Sequence, residues 1–251
     1  MSRVESKWVL VTGANGGIGR VLTVAFANAG YSVISTDISE QKVSVDNATA
    51  LQLDLEQIAL DESYSQAFKE TVDDLTGGAG ISALINNAAV QVLGGVKRVT
   101  RTDWQTSINV NLSAPLMLTQ MFFESLEQNK GSVVNISSIH ATQTKREFVA
   151  YATSKGALSS LTRNMAVDVG SAFRVNAIEP AAVDTEMLRA GFEGKEYMLK
   201  DLENCHPAGR ISSAKEVAEL ALFLCSDAAS FVHGACIPAT GGIHARLTDP
   251  D

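Results

Sequence analysis

The stretch Trp8-Val9-Leu10-Val11-Thr12-Gly13-Ala14-Asn15-Gly16-Gly17-Ile18-Gly19 decides the fold. A short apolar run with no polar alternation reads as a strand covered on both faces. Four glycines then fall between positions 13 and 19, and a helical pattern runs from Ile18 to Ala29. Glycines let the backbone turn tightly and approach a pyrophosphate, whose charge is favoured at a helix N-terminus. The spacing Gly13-x3-Gly17-x-Gly19 departs from the GxGxxG fingerprint, and tight turns collect glycine for their own reasons. The order strand, loop, helix is what gives the loop its meaning.

Outward from that unit, short β-rich runs alternate with longer helical patterns. Strands are expected at Tyr31–Thr36, Ala50–Leu53, Ile81–Ile85, Ser132–Ile136, Phe173–Ile178 and Ala235–Pro238. Helices are expected at Asp61–Leu75, at Thr102–Gln128 as one long helix, at Ala150–Val169 and at Ala214–Leu224. This alternation predicts parallel βαβ units in one doubly wound α/β domain spanning 1–251, with a mostly parallel seven-stranded sheet. The segment Val183–Asn204 is charged and helical in propensity; an ordinary surface helix and a substrate lid are both open.

Composition narrows the function classes. The 251 residues are 45% apolar and 19% charged, which excludes a disordered chain. A chain of this length buries roughly 70–75% of its unfolded surface and needs no staple. The net charge is −8 with no basic stripe, so no nucleic-acid partner is expected. No apolar run reaches the roughly 20 residues of a membrane span, and no membrane partner is expected. Cys205, Cys225 and Cys236 form no CxxC pair, so neither a disulfide framework nor a metal site is expected. With a polar Met1–Lys7 leading straight into the first strand, a cytoplasmic location is the expectation.

Candidate ligand groups gather at the carboxyl ends of the strands, where doubly wound sheets bind ligands. Asp37 ends the second strand, 18 residues after Gly19. There it can accept hydrogen bonds from ribose hydroxyls and would repel a 2′-phosphate. With Asn15 and Ile38 neutral and no Lys or Arg between Thr12 and Gly19, NAD is expected over NADP. Asp54 closes the third strand and Asn87-Ala88 the fourth, placed to meet the adenine and its ribose or to act as turn formers.

A second group carries chemistry. Tyr151 and Lys155 are four apart on a helix and share a face. A nearby ammonium favours phenolate and lowers the tyrosine pKa, which would fit Tyr151 for general acid/base work. Ser138 ends the fifth strand, where its hydroxyl can meet a carbonyl or carbinol oxygen. Asn111 lies within the long helix, where its amide can bend the helix and hold a water that connects Lys155 to solvent.

Taken together, these residues resemble the short-chain dehydrogenase/reductase family, with its Rossmann-type fold. The resemblance covers about residues 7 to 243 and adds Asn176, Pro180, Thr185 and the late Gly241-Gly242 pair. It implies catalytic roles for Asn111, Ser138, Tyr151 and Lys155, with Lys155 also on the nicotinamide ribose. It implies a cofactor surface of Gly13, Asn15, Gly16, Gly17, Ile18, Gly19, Asp37, Ile38, Asp54, Leu55, Asn87, Ala88, Ala89, Tyr151, Lys155, Pro180, Ala181, Val183 and Thr185. Thr185 would touch the carboxamide, and Ile18 would pack beside the cofactor. Ala89 and Ala181 stand where the family pattern has glycine, which reads as pocket variation.

The expected reaction interconverts a secondary alcohol and a ketone with NAD. Substrate contacts are expected from Gln91, Ser138, His140 and Tyr151 within Val90–Gly94, Ile139–Phe148 and Val183–Asn204. With Thr142, Gln143, Lys145 and Arg146 nearby, a polar or anionic alcohol is the leaning, although those cations also suit a solvated surface. The resemblance implies a homotetramer, with a dimer as the alternative. Two rivals stand beside this reading: a nucleotide-sugar epimerase or dehydratase relative, and a non-catalytic dinucleotide sensor. Missing length for a larger substrate domain opposes the first, and the complete catalytic set opposes the second.

Overall fold

The structure, a computed structural model, describes residues 7–40 and 44–247. The polar start before Lys7 and the last residues of the tail lie outside the described residues. Chain order begins β1 (Trp8–Thr12), α1 (Gly17–Asn28), β2 (Ser32–Asp37), β3 (Ala48–Gln52), α2 (Leu55–Leu60), α3 (Glu62–Thr76) and β4 (Ala83–Asn86). It continues with α4 (Arg101–Ile108), α5 (Ala114–Met121), α6 (Phe123–Gln128), β5 (Ser132–Ile136), α7 (Val149–Val169) and β6 (Arg174–Pro180). Then come β7 (Val183–Asp184), α8 (Glu186–Gly191), α9 (Glu196–Cys205), β8 (Ser212–Ser213), α10 (Ala214–Cys225) and β9 (Cys236–Ala239).

Seven strands form one sheet in the order β3-β2-β1-β4-β5-β6-β9, and each described pairing in it is parallel. Strand alternation divides the core. Leu10, Ile34, Leu84 and Val133 face α3, α5 and α7 through Phe68, Val72, Leu118, Phe122 and Met165. Val9, Val11, Val33, Ile85 and Val134 face α1 and α10 through Leu22, Phe26, Val217 and Ala221. Neighbouring strand residues thus bury into opposite layers, which is why the strands read as continuous apolar runs. Strand order reverses between β1 and β4, and the crevice beyond their carboxyl ends is where such a sheet binds ligands.

Two expectations about the helices are corrected. The single helix over Thr102–Gln128 is broken into α4, a π-helical turn at Asn109–Ser113, α5 and α6. Pro115 opens α5, where its missing N–H is harmless, and Phe122 at φ −104° and ψ 15° separates α5 from α6. Asn111 sits in the π turn with its amide fully engaged: Nδ2 donates to the Val90 carbonyl (2.9 Å) and Ser154 Oγ (2.9 Å), and Oδ1 accepts from Val90 N–H (2.8 Å). The segment 183–204 is not one helix either: β7, α8 and α9 follow in turn, with Gly194 at φ +70° between the helices. Beyond β3, Asp54 caps an unforeseen helix α2, accepting from the Glu56 amide at 2.8 Å.

Candidate active site

One end of the candidate site is built by the loop between β1 and α1. Gly13 turns at φ +68°. A Cβ on Gly19 would lie 2.0 Å from the Gly13 carbonyl oxygen, and one on Gly17 would lie 2.7 Å from Thr185 Cγ2. Side chains are therefore excluded where the loop meets the helix. No side chain caps Gly16, so the first N–H groups of α1 keep their anion-binding potential. At the end of β2, Asp37 Oδ2 accepts from the Asn15 amide (2.9 Å) and Oδ1 from the Ser39 amide (3.3 Å). A carboxylate has about four lone-pair sites, so the fixed Asp37 can still accept from a ribose hydroxyl.

The other end of the candidate site is built by β5 and α7. Ser138 leaves β5 with its Oγ accepting from the His140 amide at 3.1 Å, and it shares the cavity wall with Tyr151. Lys155 lies one turn further along α7, with Nζ 5.8 Å from the Tyr151 ring centroid. Nζ is buried and donates to the Ile136 carbonyl at 2.7 Å. Ser137 fastens the lysine's backbone by donating to the Lys155 carbonyl at 3.0 Å. His140 stacks on Phe148 at 4.3 Å and 4°, and its ring edge approaches Tyr151.

Burial pushes the Tyr151 phenol up, opposed by its hydrogen bond with Ser138. Burial pushes the Lys155 ammonium down from 10.5 to about 7. Desolvation thus disfavours the charged form of both groups in the free protein and works against the expected acidification of Tyr151 by Lys155. Burial, with the Lys145 cation adding to it, also pushes His140 down.

Both ends open into one cavity of about 760 Å³. Its wall holds Gly13, Gly16, Gly17, Ile18, Gly19, Asp37, Ile38, Asp54, Leu55, Ala88 and Ala89 at one part, and Ser138, Tyr151, Lys155, Pro180, Ala181, Val183 and Thr185 at another. Gln91 and His140 line it as well. Asn15 and Asn111 are not on the wall: Asn15 Nδ2 binds the Ser39 and Glu40 carbonyls, and Asn111 works behind the wall on Val90. Asn87 is on the wall, but its amide donates to the Thr12 and Gly13 carbonyls at 2.8 and 3.2 Å and so ties β4 to the loop. Of the polar set near the substrate, Gln143 and Lys145 reach the cavity, whereas Thr142 and Arg146 are exposed and away from it. Phe148, Leu188, Phe192 and Leu202 reach the wall from the segments expected to face the substrate, although none was singled out, whereas sequence reasoning missed His206 and Ile243 altogether. The amphipathic pattern of α9 hinted at Leu202; nothing local marked the others.

A family model described as enoyl-(acyl carrier protein) reductase matches residues 13–244. The 3-oxoacyl-[acyl-carrier-protein] reductase FabG of Thermotoga maritima is 34% identical over 247 residues, covering 96% of this chain and 99% of the relative. The chain belongs to the short-chain dehydrogenase/reductase family. The ligand-free aldohexose dehydrogenase of Thermoplasma acidophilum superposes on this short-chain dehydrogenase/reductase with a TM-score of 0.90 at 30% identity, covering 100% of this chain and 99% of the other. Two further solved structures carry cofactors. One, assigned as a 2-deoxy-D-gluconate 3-dehydrogenase of Agrobacterium tumefaciens, has NADP bound (TM-score 0.85, 30% identity, 97% of this chain and 98% of the other). The other is 4-hydroxyisoleucine dehydrogenase with NADH (TM-score 0.86, 27% identity, 96% and 100%). This family member is an NAD(P)-dependent oxidoreductase acting on CH–OH and carbonyl groups. The residues present fit such a dinucleotide: a glycine cradle that any Cβ would fill, an uncapped helix N-terminus, a ribose-height carboxylate and a cavity leading to Tyr151.

Proposed function

We propose that the protein interconverts a secondary alcohol and its ketone with NAD in preference to NADP, Tyr151 moving the proton at the reacting oxygen. The observation that carries this reading is the placement of Ser138, Tyr151 and Lys155 together on the cavity wall, with Lys155 one helical turn from Tyr151. When bound, the nicotinamide supplies the hydride acceptor or donor. The chain's own residues do the rest. The α1 N-terminus and its glycines hold the pyrophosphate, Asp37 the adenosine ribose, and Lys155 the second ribose. Ser138 orients the reacting oxygen, and the Tyr151 hydroxyl gives up or takes the proton there. Asn111 serves as a positioning residue that fixes Val90 and α7.

Cofactor choice rests on Asp37. Among the described residues the cations on the cavity wall are Lys145 and Lys155, which sit against Phe148 and Tyr151 and not beside Asp37. Among the described residues, then, no cation on that wall offsets the carboxylate that a 2′-phosphate would meet. The segment 183–204 contributes Leu188, Gly191, Phe192 and Leu202 to the wall and serves as the substrate cover. A half-buried groove lined by Leu116, Met117, Ala157 and Leu161 on α5 and α7 supports helix pairing between subunits and a homotetramer. Three free cysteines accord with a reducing, cytoplasmic setting.

The test is Tyr151→Phe, assayed for NAD reduction against a panel of secondary alcohols. Turnover should fall by roughly 10²–10⁴-fold or more, the worth of a positioned acid/base, with NADH affinity nearly unchanged. Undiminished turnover removes Tyr151 from the reaction.

A further inference from the structure

His206 follows α9 directly and forms part of the cavity wall beside Leu202 and Ile243. It is 3% exposed. Its Nδ1 lies 2.8 Å from the Leu202 carbonyl oxygen. A carbonyl only accepts, so Nδ1 carries the ring proton, and in the neutral imidazole Nε2 is left as a bare acceptor. Among the described residues Nε2 has no hydrogen-bond partner. Leaving a buried polar atom in that condition is costly, and native structures rarely tolerate it without a use. The ring is also held in place. The neighbouring backbone is tied by Ala208 N–H to the Gly241 carbonyl (3.0 Å), and Arg246 reaches the Asn204 and Cys205 carbonyls.

We propose that His206 Nε2 accepts a hydrogen bond from a substrate hydroxyl remote from the reacting carbon, which makes the substrate a diol, polyol or hydroxyketone. This deepens the dehydrogenase reading and rests on it. A ketone oxygen or a carboxylate brings no donor and cannot fill the place.

The experiment measures dead-end binding to the NADH-loaded protein, which does not depend on turnover. The probes are 2-hexanol, the 2,3-, 2,4- and 2,5-hexanediols, and 2-hydroxyhexanoate. In the unmodified protein at least one diol should bind about five- to tenfold more tightly than 2-hexanol, the worth of one hydrogen bond. In His206→Leu that preference should vanish while 2-hexanol binds as before, and His206→Gln, which keeps an acceptor, should restore part of it. Loss of affinity for diol and 2-hexanol alike would mean that His206 only closes α9, and would overturn the proposal. So would the absence of any diol preference in the unmodified protein, or a gain seen with the carboxylate alone. Proton–nitrogen NMR of the His206 ring should show hydrogen on Nδ1; the opposite tautomer also overturns it. Failure of the dehydrogenase reading is seen separately, as diol binding without oxidation by NAD.

Discussion

Replacing Lys155 by Met should make the cofactor-free protein more stable while abolishing its activity. The lysine is 2% exposed, its Nζ reaches only the Ile136 carbonyl, and no carboxylate pairs with it among the described residues. Its pKa falls from 10.5 in the unfolded chain to about 7 in the folded one. Between those values the unfolded state binds the extra proton, so the wild-type protein gains stability as pH rises through the window. Each unit is worth about 1.4 kcal/mol, so at pH 8 burial of Lys155 costs about 3 kcal/mol. Met fills nearly the same volume with a flexible apolar chain, at the loss of one hydrogen bond worth about 1 kcal/mol. The net gain of about 2 kcal/mol should raise Tm by roughly 4–8 °C for a chain of this size. Thermal unfolding of both proteins at fixed concentration from pH 7 to 10.5 is the assay. The variant's advantage should be largest near pH 7 and disappear towards pH 10.5. A variant less stable at pH 8, or an advantage that does not change with pH, would refute the reasoning.

Two shorter predictions concern the nucleotide end. Gly19→Ala places a methyl 2.0 Å from a backbone oxygen, so the loop must shift; NADH affinity should fall by about 100-fold or more, with about 1–3 kcal/mol of stability lost, both readable by titration and melting. Asp37→Ala removes the carboxylate that would face a 2′-phosphate, so the NADP-to-NAD ratio of kcat/KM should rise at least tenfold, about 1.4 kcal/mol. A wild-type protein that already favours NADP would show the Asp37 argument to be wrong.

The strand–glycine loop–helix unit and the strand–helix alternation were legible because they are local: apolar runs mark strands buried on both faces, and glycines mark a turn that side chains would block. Asp37, Ser138, Tyr151 and Lys155 could be placed because the ends of strands and one helical turn are short-range geometry. The break at Asn111 was less legible. Its amide is satisfied by Val90, 21 residues away, and by Ser154, 43 residues away, so the helix period alone concealed the π turn.

What the sequence by itself determined is the parallel doubly wound sheet, the glycine loop between its first strand and helix, and the residue types gathered at the candidate site. Only the tertiary structure decided how deeply they are buried and what forms the far wall of the cavity. A lysine's charge depends on how much water is removed around it. The positions of Phe192, His206 and Ile243 depend on three distant segments closing over one space. Both are properties of packing, which no stretch of chain specifies alone.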